Sequence, residues 1–389
     1  MHSPMTNQAP AGSIFIQAAV CREFGAPLSI ESIQLAPPGP EDILVGIEAC
    51  AICHSDISFI DGDWGGTLPS VWGHEAAGRI EAVGPNVRDL EPGDRVVVTL
   101  VRACGDCHYC EKQAPVACES TFDLDQVSPL RDSHDRVIGH GLRTGAFAEK
   151  VVVHASQVVR IPEELPGPAA SLLACGVLTG WGAVTQTAKM PAGASALIIG
   201  LGGVGLNTLQ AVRYVGGSPA LVIDPSPDKR RTAVEFGATA ASGIEPGDAT
   251  EMVRRATSGR GVEYVFVTAG APGAFEQGLD LLSPTGTIVL VGMTANGVEA
   301  SISPAGVAAA GQSILGSKMG SAIIGRDIPE LIEAHRKGDL KLGELVSGQY
   351  PLSEINVAID HVRRGKAIRN VIVFESDSEI RTDNQGSKR

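Results

Sequence analysis

The N-terminal part of the chain contains short apolar runs that are separated by glycine and proline. Between Ser13 and about Arg160, these runs predict strands at residues 43–47, 78–83, 95–99 and 149–153. Short runs of this length bounded by turn residues are typical of strands. We therefore expect a mostly β, barrel-like domain in this part of the chain.

The periodicity of the apolar positions changes after residue 161. Residues 162–190 are apolar and helical in pattern, which predicts a connection between domains. Strands and helices then alternate, at strand 196–199, helix 206–214, strand 220–223, a helix that begins at Ser226, and strands near 264–267 and 287–291. Such alternation predicts a parallel sheet with helices on both faces. A helix around 328–336, another from near Ser353 and a strand at 370–374 complete the pattern.

The length of the chain, 389 residues, exceeds that of one typical domain, so two domains are expected. Residues 1–12 and 375–389 are polar and show no apolar period, which predicts loose tails at both ends.

The net charge of −13 argues against a nucleic-acid partner, because phosphates require a basic face. No basic segment followed by an apolar core opens the chain, so we expect no secretory signal and a cytoplasmic location. Residues 165–188 are uncharged, but Pro and Gly interrupt the run. This pattern favours a buried core segment over a membrane span, and small solutes are the expected partners.

Four cysteines are spaced C-x2-C-x2-C-x7-C, at Cys104, Cys107, Cys110 and Cys118. Four thiolates so close together can form a closed tetrahedral zinc shell, and we expect a structural zinc here. A disulfide pair is disfavoured in a cytosolic protein. An iron–sulfur cluster is the other alternative, although the bacterial cluster motif has a shorter last gap followed by proline. Cys21 and Cys50 are expected to be core thiols.

A second candidate metal site is formed by Cys53 and His74, which are twenty-one positions apart. A catalytic zinc takes three protein ligands and leaves a fourth position for water or substrate. The third candidate is Cys175, an uncharged thiol in the apolar segment Leu-Leu-Ala-Cys-Gly. As isolated residues, all three would more often be buried core side chains than ligands.

A glycine-rich segment, Gly200-Leu-Gly-Gly-Val-Gly205, falls where a predicted strand gives way to a helix. In a dinucleotide-binding loop, Gly200 would permit the tight turn, Gly202 the approach of pyrophosphate and Gly205 the close packing of the helix. Asp224 ends the next strand, nineteen residues after Gly205. A carboxylate there would accept hydrogen bonds from ribose hydroxyls and repel a 2′-phosphate, which favours NAD over NADP.

Four motifs occur together in one order: Cys53-His54-Ser55-Asp56, Gly73-His74-Glu75-Ala76-Ala77-Gly78, Gly93-Asp94-Arg95-Val96 and Gly200–Gly205. With these motifs the chain resembles the zinc-dependent medium-chain alcohol dehydrogenases from about residue 15 to 374. The resemblance implies an α/β protein with a Rossmann doubly wound parallel sheet and a mostly β, GroES-like barrel catalytic domain. It also implies a catalytic domain at 1–190, an NAD-binding domain at 191–324, a return to the catalytic domain at 325–389, and a homodimer.

The resemblance also assigns roles to individual residues. Ser55 would place its hydroxyl on the substrate oxygen, Asp56 would orient His74, and Glu75 would lie behind the zinc. Several residues would contact the cofactor: His54 and Arg369 at the pyrophosphate, Lys229 near the ribose, Thr179 near nicotinamide, and the loop residues Gly200, Gly202, Gly203, Val204 and Gly205.

Two positions depart from the family pattern. Ser58 replaces a histidine that in many members passes the proton outward. Phe122 stands where the glutathione-dependent formaldehyde branch has arginine, so that branch is disfavoured.

The sequence thus predicts a reversible hydride transfer between a primary or secondary alcohol and NAD, giving an aldehyde or ketone, with two zinc ions per chain. Zinc acts in such a reaction as a Lewis acid, and the cofactor carries the redox chemistry. One alternative is an iron–sulfur electron carrier built on the Cys104 cluster. Another is a non-catalytic nucleotide-binding relative, against which the combination of Cys53, His74 and Cys175 argues.

Overall fold

A computed structural model describes residues 11–375, so the predicted tails lie outside the described residues except for residues 11, 12 and 375. The chain forms two compact units. Within the described residues, the first comprises 11–111, Cys118–Ala174 and 346–375, and the second comprises Lys112–Ala117 and Cys175–Leu345.

The boundaries between these units differ from the predicted positions 190 and 324. The first difference arises because the helix at Gly176–Gly182 packs on the helix at Gly203–Tyr214, within the second unit. The two backbones approach so closely that a Cβ atom on Gly180 would lie 2.4 Å from the Val204 carbonyl oxygen. The second difference arises because the helix at Ile324–Arg336 buries its apolar face within the same unit.

Eighteen strands lie within residues 11–375. In chain order they are β1 (Ile14–Cys21), β2 (Ser29–Leu35), β3 (Asp42–Ala51), β4 (Ser70–Val71), β5 (Glu75–Val83), β6 (Arg95–Val98), β7 (Leu130–Arg131), β8 (Val137–His140), β9 (Lys150–His154), β10 (Val158–Arg160), β11 (Ala196–Ile199), β12 (Ala220–Ile223), β13 (Ala240–Ser242), β14 (Val262–Val267), β15 (Leu282–Leu290), β16 (Ser313–Gly316), β17 (Val346–Pro351) and β18 (Arg369–Val373).

The α-helices of the described residues are α1 (His54–Asp61), α2 (His108–Glu111), α3 (Asp123–Gln126), α4 (Gly167–Ser171), α5 (Gly176–Gly182), α6 (Gly203–Tyr214), α7 (Pro227–Glu235), α8 (Pro246–Thr257), α9 (Ala274–Asp280), α10 (Pro304–Ala310), α11 (Ile324–Arg336) and α12 (Ile355–Arg363). A π-helical turn spans Ala183–Thr187, and 3₁₀ turns lie at Pro115–Ala117, Gly141–Arg143, Ala155–Gln157, Leu172–Ala174, Met319–Ser321, Gly343–Leu345 and Leu352–Glu354. Among the described helices, no single one is long and apolar enough to cross a membrane, and one bent pair passes that test by length and composition only.

The first unit is mostly β, as predicted. Strands β1, β2, β7, β8 and β4 form a closed barrel, and a second sheet has the order β10-β6-β5-β3-β18-β17, with β9 also paired to β3. Buried aliphatic side chains from these strands and from α12 form one core. Strand β18 pairs with β3 and so brings the C-terminal segment back into this unit.

The second unit contains a six-stranded parallel sheet with the order β13-β12-β11-β14-β15-β16. Every residue of β11 and β12 is buried, as expected for strands that are covered on both faces. The predicted start of α7 is confirmed, because the Ser226 hydroxyl accepts a hydrogen bond from the Lys229 backbone and Pro227 occupies the first helical position. These features confirm the predicted doubly wound α/β unit.

Candidate metal and cofactor sites

Two candidate ligands in the first unit are brought together by strand pairing. Cys53 follows β3 as the residue before α1, and His74 immediately precedes β5. Strands β3 and β5 are antiparallel, with Ala51 opposite Glu75, so both ligands lie at the same end of the pair. The ligand atoms of Cys53, His74 and Glu75 lie within 4.8 Å of one another, and all three residues are buried.

Asp56 orients this group through both of its carboxylate oxygens. Its Oδ1 atom lies 2.9 Å from His74 Nδ1 and accepts a hydrogen bond from Gly73 N at 3.0 Å, and its Oδ2 atom accepts one from Cys53 N at 3.0 Å. A carboxylate at Nδ1 selects the tautomer in which Nδ1 carries the proton. In the neutral imidazole the lone pair is then on the buried Nε2 atom of His74, which has no hydrogen-bond partner among residues 11–375.

The donor set at this point fits a zinc ion. An imidazole nitrogen without a hydrogen-bond partner beside a thiol is the chemistry that zinc selects, and a carboxylate behind the imidazole is its usual support. Burial lowers the pKa of His74, but the Asp56 carboxylate opposes burial and holds that pKa well above its usual range. Asp56 thus favours positive charge at this position, whether carried by a proton or by a metal ion.

Glu75 is fully buried and forms an ion pair with Arg369 on β18. Burial raises the pKa of Glu75 to about 8, and the Arg369 guanidinium opposes that rise. The Oε1 atom of Glu75 has no hydrogen-bond partner among the described residues. Arg369, for which the family resemblance implies a contact with the pyrophosphate, is thus paired with Glu75 in this structure.

The four-cysteine cluster has the dimensions of a tetrahedral metal site. Sulfur–sulfur distances are 3.6 Å between Cys118 and Cys104, 3.8 Å between Cys107 and Cys118, and 3.9 Å between Cys104 and Cys110. A zinc–sulfur distance of about 2.3 Å gives tetrahedral edges of about 3.8 Å. Backbone N–H groups of Glu119 and Cys110 lower the pKa of Cys107 to about 6, which favours a thiolate. None of the eight cysteines, all within residues 11–375, forms a disulfide.

Cys175 opens the second unit as the residue before α5 and is buried. Its Sγ atom lies 3.7 Å from Met319 Sδ and 3.9 Å from Thr179 Oγ1, one helical turn later. Thr179 Oγ1 is itself 3.8 Å from Met319 Sδ. Met319 could not be predicted from the sequence, because a methionine far along the chain carries no motif.

The glycine-rich loop has the geometry that a dinucleotide loop requires. Gly200 adopts φ +96°, a left-handed conformation that favours glycine. A Cβ atom on Gly205 would lie 1.9 Å from the Gly200 carbonyl oxygen, so the packing of α6 requires glycine. A Cβ atom on Gly202 would meet nothing within 4 Å, so this backbone faces open space. Gly203 and Val204 form the first turn of α6, whose N-terminus favours phosphate.

Asp224 lies beside this loop at the end of β12. Its Oδ2 atom accepts a hydrogen bond from Leu201 N at 2.7 Å, and its Oδ1 atom accepts one from Ser226 N at 2.8 Å. Each oxygen keeps acceptor capacity for a ribose hydroxyl. Lys229 lies in the first turn of α7, and the Arg230 guanidinium donates to the Asp224 and Pro225 carbonyls.

The remaining predicted residues lie on α1. His54 is its first residue and is exposed, and Ser55 follows and is half-buried. Phe122 packs under Arg102, whose guanidinium carbon is 5.6 Å from the ring centre. Sequence reasoning missed Arg102, although an arginine two residues before Cys104 in an apolar run was a usable signal.

Two family matches cover the two halves of the chain. Residues 39–163 match the alcohol dehydrogenase GroES-like domain, and residues 203–336 match the zinc-binding dehydrogenase domain. The NDMA-dependent alcohol dehydrogenase of Amycolatopsis methanolica is 33% identical over 93% of this chain and 99% of its own length. The chain belongs to the zinc-dependent medium-chain alcohol dehydrogenases.

Solved structures agree with this assignment. An alcohol dehydrogenase zinc-binding domain protein from Burkholderia ambifaria is similar with a TM-score of 0.88 and 32% identity, over 94% of this chain and all of its own. Benzyl alcohol dehydrogenase from Acinetobacter calcoaceticus is similar with a TM-score of 0.86 and 30% identity, over 93% of this chain and all of its own. The predicted family, fold class and alcohol dehydrogenase activity are thereby confirmed. The iron–sulfur carrier and the non-catalytic relative are not favoured.

Proposed function

We propose that this alcohol dehydrogenase uses NAD and a catalytic zinc bound by Cys53, His74 and Cys175. The proposal is carried by the buried His74 Nε2 atom, which has no hydrogen-bond partner in the described chain and whose ring is held by Asp56 beside the Cys53 thiol. Cys175 follows the last residue of the first unit, Ala174, and is also buried. Bound zinc would supply Lewis acidity that lowers the pKa of a substrate hydroxyl.

The residues around this centre have separate proposed roles. Asp56 keeps the His74 proton on Nδ1, so that Nε2 can act as a ligand. Ser55, half-buried on α1, would accept the proton of the alcohol hydroxyl and pass it outward. Glu75 is held by Arg369 and would balance the positive charge of the centre from behind. Hydride transfer then requires only that the substrate carbon and the cofactor meet in the correct orientation.

The second unit supplies most of the proposed NAD contacts. Bound NAD would be the hydride acceptor, with its pyrophosphate on the loop backbone at Gly202, Gly203 and Val204. Asp224 would bind the adenosine ribose, with Lys229 nearby on α7. We place Thr179 near the nicotinamide and His54 and Arg369 near the pyrophosphate, as in the family.

We further propose that Cys104, Cys107, Cys110 and Cys118 bind a second, structural zinc. The sulfur–sulfur distances near 3.8 Å support this proposal. A shell of four thiolates leaves no open position, so this ion would organise its loop and take no part in turnover. A reduced four-thiolate cluster also supports a cytoplasmic location.

A homodimer is supported by an apolar surface of the second unit. Met293, Val298 and Ile302 are exposed, and no residue of α10 is buried. No charged residue lies between Glu299 and Lys318, and β16 is the edge strand of the sheet beside this segment. Apolar surface of this kind marks an interface. The variant Met293→Lys should shift the mass in solution from dimer to monomer.

The deciding experiment combines metal analysis with an alcohol series. Wild-type protein should contain two zinc ions per chain and should reduce NAD, read as NADH absorbance, with alcohols from aliphatic to aromatic. NDMA serves as a second acceptor, because one relative is NDMA-dependent by name. Cys175→Ser should abolish turnover and leave the fold intact, whereas Cys104→Ser should release one zinc and lower the melting temperature. One zinc per wild-type chain, or iron instead of zinc, would refute the paired sites.

A further inference from the structure

Arg102 is the largest fully buried side chain of the described residues, and each of its three guanidinium nitrogens donates a hydrogen bond. It donates to Gln157 Oε1 at 2.7 Å, to Asp125 Oδ1 at 3.0 Å and to the Arg143 carbonyl at 3.0 Å. A buried arginine is costly unless such partners surround it. The burial of Arg102 therefore indicates a structural role that an arginine on the surface would not have.

Arg102 joins the two ends of the four-cysteine loop. It lies two residues before Cys104, and Asp125 lies on α3, seven residues after Cys118. The ion pair between Arg102 and Asp125, with the Phe122 ring packed on the guanidinium, closes the base of this loop. Arg102, which precedes the four-cysteine loop, thus contacts residues that follow it.

The Arg102 guanidinium also contacts a turn with an uncommon backbone conformation. Leu142 and Arg143 adopt φ angles of +51° and +61°, a left-handed conformation that is uncommon for residues other than glycine. The Arg143 carbonyl accepts from Arg102 and from Gln157 Nε2 at 3.1 Å, and Arg143 Nε lies 3.2 Å from Asp125 Oδ1. Three side-chain contacts thus hold Arg143 in a conformation that is uncommon for residues other than glycine.

This turn packs on the segment that leads to His74. Ala146 N donates to the Gly73 carbonyl at 2.9 Å, and Phe147 N donates to the Trp72 carbonyl at 2.8 Å. The approach is so close that a Cβ atom on Gly141 would lie 2.4 Å from the Val71 carbonyl oxygen. Gly73, immediately before the candidate zinc ligand, is therefore held at its carbonyl by Ala146, three residues after this turn, and at its nitrogen by Asp56.

We propose that Arg102 is a positioning residue for the alcohol dehydrogenase reaction, through which the four-cysteine loop fixes the Leu142–Arg143 turn and thereby the backbone that carries His74. The role of His74 belongs to the proposed function, so the test includes a measurement that does not depend on turnover. The variants are Arg102→Met, Arg102→Lys and the control Arg95→Met.

Arg95 is a matched control in the same unit. It is also buried, forms an ion pair with Glu48 and donates to the carbonyls of residues 162, 163 and 165, away from the turn. Hydrogen exchange is measured on the amides of Thr144 to Phe147, together with kcat and KM for two alcohols of different size.

In Arg102→Met we expect exchange at these amides to rise about tenfold or more, and kcat to fall about tenfold. Arg102→Lys should recover part of both effects, because a lysine can reach one of the three acceptors. Arg95→Met should lower the melting temperature without raising exchange at these amides.

Unchanged exchange in Arg102→Met, or an equal rise in Arg95→Met, would overturn the proposal. If Arg102→Met does not fold, hydrogen exchange and kcat are measured in Arg102→Lys and Asp125→Asn, and the same two criteria apply to them. If hydrogen exchange rises in Arg102→Met but the wild type oxidises none of the alcohols, the proposed catalytic centre is refuted and the contact between Arg102 and the turn is not.

Discussion

The Oδ1 atom of Asp56 lies 2.9 Å from Nδ1 of His74 and 3.0 Å from the backbone nitrogen of Gly73. One carboxylate oxygen thus fixes both the imidazole ring and the peptide that precedes it. Because all three groups are buried, water cannot replace this contact. The orientation of the candidate zinc ligand therefore depends on a residue that is not itself a ligand.

Replacing Asp56 with asparagine should weaken the candidate catalytic centre without unfolding the protein. The amide keeps one oxygen acceptor but loses the charge and turns an N–H₂ group toward one of the present donors. We expect zinc affinity and kcat to fall by about 10- to 100-fold. Zinc retention against a series of chelator concentrations measures the first quantity and alcohol oxidation the second.

The matched control is Asp61→Asn at the end of the same helix. Asp61 is partly exposed and pairs with Arg363 on α12. This variant should keep wild-type zinc retention and activity. Wild-type zinc retention in Asp56→Asn would contradict the orienting role.

The protonation of His140 should make stability depend on pH. Burial, and to a lesser extent the charge of Arg102, lower the pKa of His140 to about 4. Its Nε2 atom donates to the Thr144 carbonyl at 2.8 Å, and its buried Nδ1 atom has no partner in the described chain. The unfolded chain binds a proton near pH 6.5. Between about pH 6.5 and pH 4, the unfolded state thus binds more protons, and the free energy of unfolding falls as the pH falls.

The full effect is about 3 kcal/mol at the acid end of that window. In His140→Gln, whose amide can still donate to the Thr144 carbonyl, this part of the pH dependence should be absent. Urea unfolding from pH 4.5 to 7.5 gives the difference between the two proteins at each pH. A constant difference across the window would show that His140 does not titrate in this way.

The glycine-rich loop offers a paired test of fold against cofactor binding. Gly205→Ala should destabilise the second unit, because the added Cβ would clash with the Gly200 carbonyl, at a cost of about 1–3 kcal/mol. Gly202→Ala should leave stability within about 0.5 kcal/mol of wild type, since its φ of −75° suits alanine and the space is open. Gly202→Ala should nevertheless weaken NAD binding, because the methyl group would stand where pyrophosphate approaches. Thermal unfolding and NADH fluorescence titration separate the two effects. Equal NAD affinity in Gly202→Ala and wild type would refute the placement of pyrophosphate.

Much of the candidate site could be predicted because its chemistry is local in sequence. The cysteine spacing, the glycine loop and the helix start at Ser226 each depend on residues close together in the chain. The connection of Arg102 to Arg143 could not be predicted, because it joins residues forty-one positions apart through one buried carbonyl. The division into units after Ala174 and Leu345 could not be predicted for a similar reason. The apolar segment after Cys175 would show the same pattern of apolar positions whether it packed on the first unit or on α6. The close approach of the Gly180 backbone to α6 shows that it packs on α6.

Asp224 should determine the preference between NAD and NADP. Its two oxygens are oriented by Leu201 N and Ser226 N, so the charge is fixed where the adenosine ribose would lie. A 2′-phosphate would meet this charge directly, and the loss of the ribose hydrogen bonds would add to the repulsion. Together these effects amount to ~2–4 kcal/mol of discrimination, or roughly one and a half to three decades in kcat/KM.

In Asp224→Ser, the preference for NAD over NADP should decrease, because kcat/KM falls for NAD and rises for NADP. NAD loses a charged acceptor, and NADP gains from the removed repulsion and from the nearby Arg230, whose guanidinium already lies against the Asp224 and Pro225 carbonyls. The control is Asp228→Ser on α7, four residues after Asp224. It removes an exposed carboxylate that is paired with Arg231. Steady-state kcat/KM for NAD and NADP is measured at one alcohol concentration in all three proteins. A wild-type enzyme that prefers NADP would refute the role of Asp224. An equal change in Asp228→Ser would instead mean that the discrimination comes from the net charge of the surface, since only Asp224 is buried beside the loop.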